Sequence, residues 1–190
     1  MKIILLLAFL PFSALASSPF LELRIGLEDN YKKVVQHETN GKLQGNFKGQ
    51  NLGLRAGYQF EASQVFIEIN PEQKVEIKSA NELAKVNSTF VGYRYQVLSG
   101  FLIGGQLGYS SFELVKGPSG VEFNDNPTTS GLTYGVNLGY QYMFSNQLYV
   151  LGEGVYNVGN YKTNGPGSTP VDTIEIQNQS QINLNIGYIF

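Results

Sequence analysis

Apolar and polar positions alternate along much of the chain from residue 21 onwards. In residues 52–60, for instance, leucines at 52 and 54 alternate with Gly53 and Arg55. A period of two predicts β-strands, because successive side chains of a strand point to opposite faces. The pattern predicts eight strands, at residues 21–28, 52–60, 65–70, 91–97, 101–110, 132–142, 148–158 and 182–190. Three apolar residues break the alternation by falling on the polar face: Phe66, Leu102 and Ile189.

The predicted connections alternate between short and long. The short ones lie near 61–64, 98–100 and 145–147, and the long ones near 29–48, 71–86, 112–130 and 159–180. Short turns at one end and long loops at the other are typical of a transmembrane β-barrel. The apolar phase continues beyond the length that a bilayer requires, which predicts projecting strands with a bulge at Pro71. The residues that continue it are Val75, Ile77, Ile174 and Ile176.

The composition of the polar face separates a barrel from a soluble β-sandwich. In a sandwich that face meets water and commonly carries charges, lysine above all. Here it carries mainly glycine, asparagine and glutamine, together with the three arginines of the chain, and the lysines lie outside the strand cores. Small residues and a few paired charges suit the narrow interior of a small barrel. The sequence therefore predicts an all-β fold, an eight-stranded antiparallel up-and-down transmembrane barrel with short periplasmic turns and four long extracellular loops.

Charged residues of the polar face are predicted to meet in one interior layer. A hairpin centred on 61–62 brings Arg55 opposite Glu68, and the other members, with Gln106, lie at a similar distance from the short turns. An unpaired charge in so narrow a space is costly. We interpret the layer as a structural plug, and a gate on a narrow conduction path is the alternative. Its charged members are Glu22, Arg24, Arg55, Glu68, Arg94 and Glu153.

A Gly-Tyr-x-aromatic tetrapeptide occurs four times, as GYQF at 57–60, GYRY at 92–95, GYQY at 139–142 and GYIF at 187–190. Each copy ends an even-numbered predicted strand. The strand parity points both aromatics outward and the glycine inward, where it leaves room for interior side chains. Aromatic residues at this level form an interfacial girdle, here Tyr58, Phe60, Tyr93, Tyr95, Tyr140, Tyr142, Tyr188 and Phe190. Phe101, Phe144 and Tyr149 are predicted to extend it.

The first sixteen residues predict a secretory signal peptide. Lys2 precedes an apolar stretch, and small residues end the segment at Ala16, which predicts cleavage before Ser17. The stretch is too short to cross a bilayer as a helix, and an uncleaved anchor is the alternative. The barrel domain is then 17–190. The chain has no cysteine, which excludes disulfides and cysteine-based metal sites or nucleophiles.

With a signal peptide, eight alternating strands and a terminal Phe190 preceded by alternate apolar residues, the chain resembles the small OmpA/OmpX-type outer-membrane barrels, including the opacity-like porin families. The resemblance implies a Gram-negative outer membrane, with the lipid bilayer and lipopolysaccharide as surroundings. In that family the C-terminal aromatic and the alternate apolar positions before it form a signal that the barrel-assembly machinery reads. The matching positions are Ile182, Leu184, Ile186, Tyr188 and Phe190.

Net charge and the candidate reactive residues exclude several classes of function. A formal net charge of −2 without a basic block argues against nucleic acid, and neither a cofactor nor a metal site is predicted. We predict a non-enzymatic structural or surface-interaction role, for example adhesion to a host or envelope ligand through the long loops. A narrow pore or carrier of small hydrophobic molecules is one alternative.

A lipid A-modifying hydrolase is the other alternative, and it would need a histidine beside a serine. His37 is the only histidine of the chain, and no predicted pairing places a serine next to it. Serines do occur in other predicted loops, at Ser110, Ser111 and Ser130.

Overall fold

A computed structural model describes residues 18–37, 41–77, 81–116, 128–164 and 173–190. The predicted signal peptide and its cleavage point therefore lie outside the described residues. The described residues contain nine strands. They are β1 (Ser18–His37), β2 (Gly41–Gly49), β3 (Leu52–Phe60), β4 (Ser63–Ile77), β5 (Glu82–Leu98), β6 (Phe101–Lys116), β7 (Thr128–Met143), β8 (Leu148–Asn164) and β9 (Thr173–Ile189). In the described part of the chain, no helix is long and apolar enough to cross a membrane.

The strands form one closed antiparallel ring. From β3 to β9 each strand pairs with the next, and β9 pairs with β1. On its other side β1 pairs with β3 near the short turns and with β2 farther along. β2 and β3 therefore share one position, and the ring has eight positions. This confirms the predicted eight-stranded up-and-down barrel.

The second position of the ring is interrupted at Gln50 and Asn51, between β2 and β3. The backbone oxygen of Asn51 accepts a hydrogen bond from the Gly26 N–H at 2.7 Å. Its side chain turns into the barrel and donates to Asp29 at 3.0 Å. On the other side of β1, the register with β9 shifts between Gly26 and Glu28. Even-numbered residues of β1 up to Gly26 face the interior, whereas odd-numbered residues from Asp29 onwards do so.

The neighbouring ladder is open around Pro71. The last β3–β4 pair is Leu54 with Ile69, and the wall resumes with Gly49 of β2 opposite Val75. On the other side of β4, the register with β5 shifts across Pro71, so the predicted bulge is confirmed. Proline has no N–H to donate to a ladder, and it is tolerated at such irregular positions.

Most of the residues predicted as four long loops are in fact strands. β1 runs for 20 residues, and β8 and β9 for 17 each. The outer wall carries a band of apolar side chains near the short turns, and beyond this outward apolar band the apolar side chains face the interior instead. The loop boundaries were wrong because register shifts interrupt the alternation where this change occurs. The predicted strands that project past the bilayer are present. The continuous outward phase from which they were predicted was wrong, because register shifts in β4 and β9 turn Val75 and Ile176 into the interior.

Beyond this band the ring divides into two four-stranded sheets, which we call the extension. The β7–β8 ladder ends at Thr133 and Gly159, and among the described residues β2 and β4 share two pairs only. One sheet is β4–β5–β6–β7 and the other is β8–β9–β1–β2. Apolar side chains from both sheets form the upper apolar core, which comprises Tyr31, Phe47, Val75, Ala84, Val86, Phe112, Leu114 and Ile176.

The outer wall between the short turns and the extension is apolar. Leu54, Ile67 and Ile182 are each more than half exposed, and similar residues face outward on every strand position. A soluble monomer rarely exposes a contiguous apolar surface of this kind. The interior face of the same strands is polar, which is the reverse of a soluble protein and suits a barrel wall in lipid.

Candidate functional site

The barrel interior is filled from the short turns to the extension. A lower apolar cluster lies nearest the short turns and consists of Phe20, Phe66, Leu102, Tyr149, Leu151 and Ile189. The charge layer follows, then a layer of carboxamides around Asp29, and finally the upper apolar core. This stack is the candidate functional site, because the state of the lumen decides whether the protein can conduct.

The lower apolar cluster explains the residues that broke the sequence alternation. Phe66, Leu102 and Ile189 point inward and are at most 8% exposed. The inward glycines of the repeated tetrapeptide make room for such rings. A Cβ at Gly92 would overlap the ring of Phe66, and a Cβ at Gly187 would overlap the ring of Tyr149. Rings and glycines on neighbouring strands therefore complement each other.

The prediction that Tyr149 extends the aromatic girdle was wrong. Its side chain is fully buried in the interior, and its hydroxyl donates a hydrogen bond to Glu22 at 2.7 Å. The short connection before β8 sets this inward phase, which the ambiguous alternation of the segment did not reveal. Phe101 and Phe144, in contrast, face outward with 46% and 63% exposure.

Arg55 is the centre of the charge layer. Its guanidinium contacts Glu22 at 3.0 Å, Glu68 at 2.5 Å and Glu153 at 3.0 Å. The strand register places Glu22 and Glu68 directly opposite Arg55 on the two neighbouring strands. Glu153 reaches it from β8, on the far side of the lumen. One arginine thus connects three strand positions that are distant in sequence.

The other two arginines complete the network. Arg94 contacts Glu22 at 2.5 Å and Glu153 at 3.6 Å, and Arg24 pairs with Glu68. Each carboxylate therefore meets two guanidinium groups, and all six side chains are almost fully buried. Charge-assisted hydrogen bonds of this kind offset the cost of removing the charges from water.

Aromatic rings close the charge layer on the side of the short turns. The Phe66 ring centroid lies 4.1 Å from the Arg55 guanidinium carbon and 5.1 Å from that of Arg94. The Phe20 ring lies 5.9 Å from Arg94. Rings at these distances attract a cation electrostatically and exclude water. The lower apolar cluster therefore supports the arginines as well as filling space.

Asp29 is the centre of the next layer, and sequence reasoning missed it. Its buried carboxylate accepts hydrogen bonds from the Tyr31 hydroxyl at 3.0 Å and from four carboxamides at 2.9–3.1 Å. These carboxamides belong to Asn51, Gln73, Gln179 and Gln181. The shift of the β1 phase near Gly26 carries Asp29 into the lumen, whereas uninterrupted alternation would have pointed it outward.

Gln106, predicted in the charge layer, belongs to this carboxamide network instead. Its amide donates to Asn157 at 2.9 Å, and Asn157 in turn donates to Gln179 at 3.0 Å.

Tyr31 links the carboxamide layer to the upper apolar core. It lies beyond the outward apolar band, opposite Phe47 on β2 and Gln179 on β9. Burial raises the pKa of its hydroxyl well above the ordinary value, and the negative charge of Asp29 adds to the effect. The phenol therefore stays protonated and continues to donate to Asp29 over a wide pH range.

The predicted girdle positions lie at the short-turn rim. Seven of the eight side chains are at least 40% exposed, and Phe60 is half-buried. Edge-to-face contacts join neighbouring rings, with centroids 5.1 Å apart for Tyr188 and Phe190 and 4.9 Å apart for Phe101 and Tyr140. The other predicted assembly-signal positions face outward on β9, namely Ile182, Leu184 and Ile186.

Two of the candidate serines make ordinary polar contacts among the described side chains. His37 ends β1 opposite Gly41, and its side chain lies outside the part of the chain whose side chains are described. Ser110 is buried and accepts a hydrogen bond from Thr133 at 3.0 Å. Ser130 contacts the Tyr109 hydroxyl at 2.6 Å. Over the described residues, no group of three acidic, histidine or cysteine side chains could hold a metal ion.

Comparison with solved structures shows the same fold at low sequence identity. Neisserial surface protein A is 13% identical with a TM-score of 0.58, and the match covers 92% of this chain and 99% of that one. The outer membrane protein AlkL is 13% identical with a TM-score of 0.61 and coverages of 92% and 90%. Ail of Yersinia pestis, solved with the heparin analogue sucrose octasulfate, is 18% identical with a TM-score of 0.51 and coverages of 90% and 99%.

Sequence comparison with curated proteins gives no match. The family model described as the outer membrane protein beta-barrel domain, however, matches residues 3–190. This range includes every strand of the ring, and the apolar outer wall and polar interior agree with it. The chain therefore belongs to the outer membrane protein beta-barrel domain family.

Proposed function

We propose that this protein is a non-conducting, non-enzymatic outer-membrane barrel that presents an interaction surface on its extension. The observation that carries the proposal is the continuous filling of the lumen. Two apolar clusters enclose the charge layer and the carboxamide layer. A barrel of eight strands is just wide enough for its own side chains, and here those side chains occupy every level.

The charge layer supports the plug role over a gate. To open a path, Arg55 would have to leave three buried carboxylates. Breaking a buried pair by removing one partner costs about 3–5 kcal/mol. Because Glu22, Glu68 and Glu153 each contact a second arginine as well, movement of one side chain would disturb the whole network. The layer therefore fixes the strand register.

The extension supports a surface-interaction role. β2 pairs with β1 from Gly41 to Gly49, but among the described residues only Lys48 and Gly49 pair with β4. Along the rest of β2, the described residues show no ladder pair with β4. A strand edge with few ladder pairs can accept an extended segment of another molecule. A host or envelope component that adds to this edge is the kind of partner that the arrangement favours.

An adhesion assay on whole cells tests the role. Residues 117–127 would be replaced by a short turn, and a matched variant would carry new residues in the 145–147 turn at the opposite end. We expect binding to host cells to fall only in the first variant, with both variants present as folded barrels by unheated electrophoresis. Because Ail was solved with a heparin analogue, sulfated glycans are a suitable first class of probe. Unchanged binding in the first variant would exclude residues 117–127 from the interaction surface, and unchanged binding in a further variant with proline substitutions along the β2 edge would remove the interaction role.

Two measurements test the alternative functions, a narrow pore and a lipid A-modifying hydrolase. Planar-bilayer recordings on the purified protein should give no stable openings, and openings that disappear in Arg55→Ala would replace the plug with a pore. Expression in cells should leave the mass of lipid A unchanged. A mass shift that is lost in His37→Ala would establish an enzyme.

Export and assembly are part of the same proposal. Cleavage before Ser17 stays a prediction, and the intact mass of the mature protein checks it. Recognition by the barrel-assembly machinery through Phe190 is likewise a proposal, and it is supported by the outward apolar positions of β9.

A further inference from the structure

A groove of about 1120 Å³ lies on the outer wall where the ladder between β2/β3 and β4 is open. Its lining includes Leu27, Lys48, Gln50, Leu52, Pro71 and Lys74. The volume slightly exceeds the usual range of ligand pockets, roughly 300–1,000 Å³. The lining combines leucines of the outward apolar band with polar residues of the extension.

The floor of the groove is apolar. Leu27 and Leu52 are 54% and 55% exposed, and Leu83 is half-buried beside them. Leu27 stands at the irregularity of β1, where the register with β9 shifts. Because the wall is indented here, an acyl chain would contact leucine on more than one side, which a smooth strand surface does not offer.

The broken ladder leaves polar backbone groups along the groove. Within the described residues no ladder pair joins 50–53 to 70–74, since pairing stops at Leu54 and Ile69 and resumes at Gly49 and Val75. Backbone groups without partners are strongly unfavourable in a hydrocarbon environment. A bound polar group with its own donors and acceptors would supply partners to backbone groups that the interrupted ladder does not pair.

Lysines stand at the rim of the groove. Lys48 is two-thirds exposed, and its amine is 3.9 Å from the Glu28 carboxylate. Lys74 is exposed and has no ion pair among the described residues. Two glutamates also line the groove: Glu72 pairs with Lys85 at 3.3 Å, and Glu76 has a partner as well. Lys74 and the exposed, distantly paired Lys48 are therefore the ammonium groups that an anion would meet at the rim.

The height of the groove identifies the leaflet. On β1 the outward apolar residues end at Leu27 and are followed by Glu28, and on β3 they begin at Leu52 after Gln50. This boundary lies at the end opposite the short turns, which are periplasmic in this architecture. We propose that the groove binds lipid A of the outer leaflet, with an acyl chain on the leucine floor and a phosphate between Lys48 and Lys74. This site goes beyond the surface-interaction role and does not depend on it.

Reconstitution of the full chain tests the site. The protein would be placed in phosphatidylcholine nanodiscs that contain a small fraction of either lipid A or phosphatidylglycerol, and retained lipid would be counted by native mass spectrometry after detergent extraction. We expect retention of one lipid A per barrel and several-fold weaker retention of phosphatidylglycerol. Equal retention of the two lipids would overturn the proposal in favour of nonspecific attraction of anionic lipid.

Four variants separate the groove from the rest of the wall. Lys74→Glu removes a rim cation and Leu52→Ala removes part of the floor. The matched controls are Lys116→Glu on β6 and Leu138→Ala on β7, which lie outside the groove lining. We expect lipid A retention to fall several-fold in both groove variants and to stay unchanged in both controls, all four being folded by unheated electrophoresis. Retention that is the same in groove and control variants would refute the site.

Discussion

Replacing Arg55 with methionine should destabilise the barrel more than any other single substitution in the charge layer. Arg55 contacts three buried carboxylates, and methionine fills part of its volume without providing a charge. Removing one partner of a buried pair costs about 3–5 kcal/mol. Three separate penalties are not expected, because each carboxylate keeps one arginine. We therefore expect a loss in the free energy of unfolding of about 3–5 kcal/mol.

A second substitution tests whether the loss of stability in Arg55→Met is electrostatic. In Arg55→Met the two remaining arginines face Glu22, Glu68 and Glu153. Adding Glu153→Gln removes the excess carboxylate, so the double variant should be more stable than Arg55→Met alone. Coupling energies between residues in contact are typically about 0.5–3 kcal/mol. Loss of packing alone predicts the opposite order, because the second substitution would add a further defect.

The assay is equilibrium unfolding by urea in lipid vesicles. The folded fraction is read from mobility in unheated electrophoresis and from far-ultraviolet circular dichroism, since the chain has no tryptophan. Lys48→Met is the control, because its pair with Glu28 is exposed on both sides and such pairs contribute about 0.2–1 kcal/mol. If Arg55→Met costs no more than Lys48→Met, the arginine does not hold the network together.

Three further predictions follow from the interior, the extension and the C-terminus. Gly187→Ala should lower the free energy of unfolding in urea by about 1–3 kcal/mol, because the new Cβ would overlap a buried tyrosine ring. Gly152→Ala has open space around its Cβ and should cost far less. Equal losses in the two variants would contradict the packing argument. The pKa of the Tyr31 hydroxyl is raised in the folded protein, so the protonated phenol stabilises the folded state. This contribution to the free energy of unfolding is complete below the unfolded-state pKa of about 10. It is lost as the pH rises from there toward the folded-state pKa. The wild type should therefore lose more stability between pH 9 and about 11 than Tyr31→Phe, and parallel urea midpoints would refute this. Charged residues appended after Phe190 should reduce insertion into the outer membrane more than the same residues inserted at Pro118, as measured by heat-modifiable protein in the membrane fraction; equal insertion would remove the assembly-signal proposal.

Sequence reasoning was most successful in the part of the wall that lies in the membrane. There one face of each strand meets lipid and the other meets the lumen, so the two-residue period is strong and gives the strands, the inward arginines and the outward girdle residues. Arg55 and Glu68 could be placed opposite each other because the intervening turn is short and fixes the register. Beyond the band the outer face meets water and the apolar side chains face inward. Register shifts interrupt the alternation where this change occurs, so β2 was taken for a loop.

The sequence by itself determined the eight-position barrel and the six members of the charge layer, because these depend on local alternation and on composition. Tertiary structure alone decided which of these charges meet across the lumen, that Asp29 enters the lumen, that Tyr149 points inward and that the wall opens beside Pro71. Each of these depends on a bulge or on a contact across the lumen between distant strands. A one-residue shift reverses the direction of every later side chain on a strand, and the local alternation does not reveal where such a shift occurs.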